Sequence, residues 1–313
     1  MRYATFSLPT DPRPRLGAVH GTTLADVHAL VWGAWPGPGS APATLLELIQ
    51  GGPAAWKWLD DFLSSALPGA HSGGGAAAAA VHEGAQVRWH APIPRPTKNI
   101  LCLGLNYFSH VVETAKPLDK APKRPEVPIF FTKAPTTANG PFDAIAWDRG
   151  ITEQLDYEAE LGVIVGVGGK NLTRGHALEH VFGYTVINDV SARDVQFRHK
   201  QWFKGKSLDG FCPMGPVVVT ADEFGDPQQK RITLRVNGET RQDATTADMI
   251  FPVDVTLEYL SQGMTLEPGD IIATGTPDGV GLGRIPPQYL QHGDVVETEV
   301  EGIGTLRNRV AQV

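Results

Sequence analysis

Cysteine is almost missing from this chain: Cys102 and Cys212 are the only two in 313 residues. Two isolated thiols cannot build a disulfide framework or a thiolate metal cluster, so a reducing compartment, the cytoplasm, is the expected setting. Long apolar runs are missing as well. No stretch approaches the ~20 residues of a membrane-spanning helix. The opening Met1-Arg2-Tyr3-Ala4-Thr5-Phe6 lacks the uninterrupted apolar segment of an export signal. No membrane partner is expected, and the glycosylation pattern Asn171-Leu172-Thr173 is expected to be inert. Positive charge is not in excess: 27 Lys and Arg face 34 Asp and Glu, a formal net charge of −7. That argues against a nucleic-acid surface but not against a locally cationic pocket. Nucleotide signatures also fail. Gly205-Lys206-Ser207 ends like a phosphate-binding loop, but Lys200 stands where that loop needs its first glycine. Gly166-Val167-Gly168-Gly169 lacks the helix and final glycine of a dinucleotide fingerprint and reads as a strand exit.

What the chain does have is glycine, 35 residues, and proline, 25, which implies many tight turns and few long helices. With 42 % hydrophobic and 19 % charged residues, a chain of this length can bury a substantial core and hold two domains. Residues 1–90 read as a small α+β domain. Arg2 to Phe6 and Leu16 to Val19 are strand-like. Leu45, Leu46, Leu48 and Ile49, then Ala55, Trp56, Trp58, Leu59, Phe62 and Leu63, have helical spacing. Gly73-Gly74-Gly75 and Ala76 to Ala80 form a low-complexity connector, and Pro92, Pro94 and Pro96 stiffen the passage onward. Residues 91–313 read as a second, β-rich domain. Val217 to Thr220, Ile232 to Val236 and Val295 to Val300 are strand-like, and Asn237-Gly238 marks a hairpin turn. Val253, Leu257, Leu260 and Met264 have helix spacing. The fold class is therefore mixed α+β and β-rich, an open or rolled sheet with peripheral helices.

Chemistry gathers around acids. Leu161-Gly162-Val163-Ile164-Val165-Gly166 reads as a buried strand, and residues i and i+2 of a strand share a face. Glu158 and Glu160 thus present paired carboxylates at its entrance. Like charges held there need a cation between them, or else they mark a solvated strand end; the pair alone leaves both readings open. Asp189 closes another apolar stretch, Val181 to Ile187, and adds a third carboxylate. Three oxygen donors favour Mg²⁺, Mn²⁺ or Ca²⁺ over zinc. Separately, Ser109 can cap a short helix on which His110 and Glu113, three apart, share a face, either as a general base with its orienting carboxylate or as a surface pair.

Tyr157-Glu158-Ala159-Glu160-Leu161, Asn188-Asp189-Val190-Ser191-Ala192-Arg193-Asp194, Trp202-Phe203-Lys204-Gly205-Lys206-Ser207 and Asp248-Met249-Ile250-Phe251 follow in order. Leu266-Glu267-Pro268-Gly269-Asp270, Thr274-Gly275-Thr276-Pro277 and Glu301-Gly302-Ile303-Gly304 complete the series. Together they resemble the fumarylacetoacetate hydrolase family from about Pro96 to the C-terminus. The resemblance implies a β-roll catalytic domain in which Glu158, Glu160 and Asp189 hold Mg²⁺ or Mn²⁺. It implies that Asn106-Tyr107-Phe108-Ser109-His110 and Glu113 belong to a mobile lid whose His110 and Glu113 are catalytic, with mobility around Thr114 to Pro128. Lys206 is implied to face the substrate and stabilise oxyanion or enolate charge. Tyr107, Lys133, Arg193, Gln196 and Thr276 are implied substrate contacts, with a salt bridge from Arg193 to Asp194 as an alternative role. A homodimer acting on a small oxo-acid or dicarboxylate is also implied.

The leading expectation is a divalent-metal-dependent hydrolase that cleaves a carbon–carbon bond of an acylpyruvate or fumarylpyruvate-like acid through an enolate held by the metal. The alternative on the same site is an isomerase or decarboxylase of a 2-hydroxy-dienoic diacid or of oxaloacetate. A dicarboxylate-binding paralogue without turnover is the remaining class, and it would be expected to lack one of His110, Glu113, Glu158, Glu160, Asp189 or Lys206; all six are present.

Overall fold

Side-chain alternation along single strands separates the molecule into layers. In the strand Cys212–Thr220, Val217 and Val219 enter one apolar cluster, whereas Met214 and Val218 enter another on the opposite face. In the strand Ala159–Val165, Leu161, Val163 and Val165 share the first cluster and Ile164 the second. The sheet that contains these strands is therefore covered on both sides, and every residue of Ala159–Val165 is buried. The structure, a computed structural model, describes residues 1–31, 33–37, 40–70, 80–115 and 121–313. Most of the Gly/Ala connector, residues 73–79, and part of the segment expected to be mobile, residues 116–120, lie outside the described residues.

The large sheet has twelve strands. At its centre Ala159–Val165 lies between Val181–Asn188 and Ile271–Ala273, antiparallel to both. Ile100–Gly104 and Ile129–Lys133 continue to one edge. On the other side Cys212–Thr220 pairs with the N-terminal strand Arg2–Leu8, with Tyr3 opposite Val218. Asp11–His20, Thr23–Asp26 and Val81–Glu83 follow outward. The first 90 residues thus extend the large sheet. Their helices, Leu45–Gln50 and Gly52–Ala70, lay Leu45, Leu48, Ile49, Leu59 and Leu63 on one of its faces. Burying an aliphatic side chain of this size contributes about 1.5–3 kcal/mol, so these contacts fasten the N-terminal segment to the rest of the chain.

A five-stranded sheet covers the other face, in the order Glu239–Thr245, Arg231–Val236, Val295–Val300, Gly304–Gln312, Ile145–Trp147. Asn237 and Gly238 make its tight turn with φ of 52° and 80°, the left-handed pair that matches strand twist in a two-residue hairpin. Val295–Val300 alternates inward and outward as its sequence predicts. The β-rich mixed fold expected from composition and turn chemistry is the one observed. Two local expectations are corrected. The helix Val253–Ser261 stops before Met264, because Gly263 turns the backbone to φ 72° and leaves Met264 exposed. Ser109 does not cap; the helix Phe108–Ala115 begins before it. No helix among the described residues is long and apolar enough to cross a membrane.

Candidate active site

The central hairpin brings the three acids together. Ala159 pairs with Asn188, which sets Glu158 beside Asp189. The peptide N–H of Asp189 donates to the Glu158 carbonyl (2.9 Å), and Asn188 Oδ1 accepts from the Glu158 N–H (3.0 Å). Carboxylate oxygens of Glu158, Glu160 and Asp189 consequently lie within 4.8 Å of one another, all three residues buried.

Three cations surround this group. Lys206 Nζ donates to Glu158 Oε2 and to Asp189 Oδ2, both at 2.8 Å. Lys133 Nζ is paired with Asp189 Oδ1 and also donates to the Val190 carbonyl. Arg193 reaches Glu158 Oε1 through Nη2 (2.7 Å) and Asp156 Oδ2 through Nε (2.8 Å). Burial alone would push the Glu158 carboxyl up, but the charges of Lys206 and Arg193, with His110, outweigh it and hold the group at about 2. Glu160 behaves oppositely. Its Oε2 accepts from the Gly275 N–H (2.8 Å), while Oε1 is buried without a hydrogen-bond partner among the described residues. Burial, reinforced by the charges of Asp189 and Glu158, raises its carboxyl well above the ordinary range.

An all-oxygen donor set with one orphaned, buried carboxylate oxygen fits a hard divalent cation such as Mg²⁺ or Mn²⁺. Four carboxylates (Asp156, Glu158, Glu160, Asp189) face three cations (Lys133, Arg193, Lys206). With all four ionised, as metal binding would require, the cluster carries one negative charge in excess, and a divalent ion would leave it ready for an anionic ligand.

Above the acids lies a cavity of about 130 Å³, whose polar wall includes His110, Glu158, Arg193, Gln196, Lys206 and Thr276. Leu103, Phe131, Phe197, Trp202 and Leu282 close the remainder with apolar surface. His110 stands on the short helix Phe108–Ala115, with Nδ1 3.5 Å from Glu113 Oε2. Both Glu113 oxygens accept from the Gly279 N–H, at 2.9 and 3.1 Å. Gly283 lies flush against the same carboxylate: a Cβ there would stand 2.1 Å from Glu113 carbons. The helix is therefore seated on the 279–283 loop through Glu113. Asp156 anchors that loop from below, accepting from the N–H groups of Gly281 (2.7 Å) and Leu282 (3.0 Å).

Of the residues read from the sequence, His110, Glu158, Arg193, Gln196, Lys206 and Thr276 line one cavity, with Glu160 and Asp189 beside Glu158 and Glu113 against His110. Two implied substrate contacts are placed elsewhere. Lys133 is fully buried and grips Asp189, because the strand that brings Phe131 to the cavity carries Lys133 two residues further. Tyr107 is also fully buried, in the core, and bridges to Met249. Arg193 pairs with Asp156 and Glu158, not Asp194, which instead accepts from Thr152 Oγ1 and the Glu153 N–H. Asp156 and Gln242 carry parts of the site that were not singled out from the sequence.

Comparison with known proteins identifies relatives of the chain. The family model described as "Fumarylacetoacetate (FAA) hydrolase C-terminal" matches residues 99–311. The oxaloacetate tautomerase YisK of Bacillus subtilis (strain 168) is 49 % identical over 225 residues, 72 % of this chain and 73 % of its own. The mitochondrial oxaloacetate tautomerase FAHD2A of Bos taurus is 37 % identical over 314 residues, 99 % of this chain and 91 % of its own. Among solved structures, a fumarylacetoacetate hydrolase from the psychrophilic Exiguobacterium antarcticum superposes with a TM-score of 0.79 at 41 % identity, covering both chains completely. A maleylpyruvate hydrolase from Sphingobium sp. SYK-6, in complex with manganese(II) and pyruvate, gives 0.74 at 29 % identity, covering 100 % of this chain and 99 % of its own.

Proposed function

The chain belongs to the fumarylacetoacetate hydrolase family, and from that premise we propose that it interconverts the keto and enol forms of a short 2-oxo diacid, oxaloacetate first among them, with Mg²⁺ or Mn²⁺ bound. The observation that carries this reading is the alignment of 99 % of this chain, the N-terminal segment included, with an oxaloacetate tautomerase. This favours the alternative read from the sequence over the leading hydrolase expectation.

The cavity supports it. At about 130 Å³ it is close to the ~150 Å³ that holds a six-carbon ring in an engineered core, a fit for a four-carbon diacid. A divalent cation held by Glu158, Glu160 and Asp189 would supply Lewis acidity to the 2-oxo oxygen. The chain's own groups do the rest. Arg193, Gln196 and Thr276 offer donors along the wall to substrate carboxylate oxygen. Lys206 brings positive charge where the enolate oxygen forms. His110, with Nδ1 3.5 Å from the Glu113 carboxylate, takes a proton from carbon 3 of the keto acid, and the imidazolium so formed gives a proton to the oxygen on carbon 2. The two transfers cancel, so no atom is gained or lost. The apolar wall of Phe131, Phe197, Trp202 and Leu282 excludes water that would otherwise divert the enolate.

Hydrolysis of an acylpyruvate is the second reading, favoured by the same His110–Glu113 pair and by neighbours whose names are hydrolases. The test is the decay of enol-oxaloacetate followed by its ultraviolet absorbance. Mn²⁺-dependent acceleration that EDTA abolishes and His110→Ala greatly reduces is expected. A rate equal to the protein-free control with metal present would reject the proposal.

A further inference from the structure

Gln242 sits on the strand Glu239–Thr245, mostly exposed or half-buried, and is its only fully buried residue, 1 % exposed. Its amide carries a complete set of bonds. Oε1 accepts from the Ala159 N–H (2.9 Å). Nε2 donates to Thr276 Oγ1 (2.8 Å), with the carbonyls of Pro277 (2.9 Å) and Asp278 (3.4 Å) also in reach. The orientation of this amide is not a matter of assignment. A backbone N–H can only donate and a backbone carbonyl can only accept, so the oxygen must face Ala159 and the nitrogen must face the 276–278 turn.

A consequence follows for Thr276. Its oxygen accepts from Gln242, so its single hydroxyl proton must point elsewhere, and Thr276 lines the cavity. Ala159, at the other end of the amide, is the residue between Glu158 and Glu160. One side chain from the second sheet therefore couples the strand that carries the acids to the turn that faces the ligand.

We propose that Gln242 is a positioning residue that fixes the Thr276 hydroxyl as a donor to an anionic ligand oxygen. The proposal rests on the reading that a 2-oxo acid occupies this cavity. An ionised glutamate at position 242 would reverse the arrangement. It would still accept from Ala159, but it would also draw the Thr276 proton to itself and remove the donor from the cavity.

The test is a double-mutant cycle on the full chain at saturating Mn²⁺, with oxalate as the binding probe measured by calorimetry and KM for enol-oxaloacetate measured in parallel. Thr276→Val and Gln242→Glu are each expected to weaken oxalate binding by about tenfold, the loss of one hydrogen bond. The double variant is expected to bind no more weakly than Thr276→Val alone, and KM should rise with little change in kcat. If the two losses multiply to about a hundredfold, or if Gln242→Glu lowers Tm while oxalate affinity stays at the wild-type value, Gln242 does not act through Thr276. Should Gln242→Glu fail to fold, Gln242→Met replaces it in the same cycle: it must weaken oxalate binding when Thr276 is present and have no effect in the Thr276→Val background. Absence of oxalate binding by the wild-type protein would overturn the 2-oxo-acid reading, and this proposal with it.

Discussion

Replacing Glu160 with glutamine should move the stability of the metal-free and metal-loaded protein in opposite directions. Without metal, Glu160 is a buried carboxyl pressed by Glu158 and Asp189, with Oε1 unpartnered. The neutral amide removes that repulsion and can still accept from Gly275. Metal-free Glu160→Gln should therefore unfold at or above the wild-type temperature near neutral pH. With cation at a hundred times its Kd, the wild type gains about 2.7 kcal/mol. Unfolding entropy of about 2.1 cal/mol/K per residue over 313 residues converts this to roughly 4 °C in Tm. The variant, short of one anionic ligand, should gain little or nothing. Thermal melts of both proteins with EDTA and with Mn²⁺ give all four numbers. An equal Mn²⁺-induced rise in wild type and variant would refute the three-carboxylate site, whatever happened to activity.

Two further outcomes follow from the same geometry. Gly283→Ala places a methyl group against the Glu113 carboxylate and must unseat the helix that carries His110; kcat should fall at least about tenfold, the equivalent of ~1.4 kcal/mol in the barrier, with Tm nearly unchanged. An unaltered kcat would show that the Glu113–Gly279 seat is not needed for turnover. Metal binding should release a proton in weakly acidic solution. Above its ordinary value of 4.5, Glu160 in the folded metal-free protein keeps a proton that the unfolded chain has lost. Stability without metal thus falls as pH rises through that window, and metal affinity climbs by up to about tenfold per pH unit. Calorimetry of Mn²⁺ binding in two buffers of different ionisation heat measures the release, and zero protons exchanged across the window would contradict it.

The acidic group was legible because its signals are local. Two glutamates at i and i+2 on a β-branched run need only strand geometry to share a face, and Asp189 closes the next apolar run, which becomes the neighbouring strand. The Asn237-Gly238 hairpin was legible for the same reason. Long-range pairing was not. Arg193 finds Asp156, 37 residues away, in preference to its sequence neighbour Asp194, because Asp194 is already taken by Thr152 and the Glu153 N–H. The docking of Arg2–Leu8 onto Cys212–Thr220 joins segments that nothing local relates. Lys133, implied as a substrate contact only by the family resemblance, is buried against Asp189, 56 residues away, a pairing that nothing local to its strand signals. Gln242 carried no signal, since a glutamine between Arg241 and Asp243 reads as part of a solvated face, and only the packing of the second sheet over the first buries it.

The most direct measurement of the central claim is product analysis by NMR of the Mn²⁺-loaded protein given enol-oxaloacetate in one sample and fumarylpyruvate in another. Accelerated conversion of enol to keto oxaloacetate with every carbon retained is expected, with fumarylpyruvate left uncleaved. Release of pyruvate and fumarate from the second sample, with no acceleration in the first, would contradict it and return the site to hydrolysis.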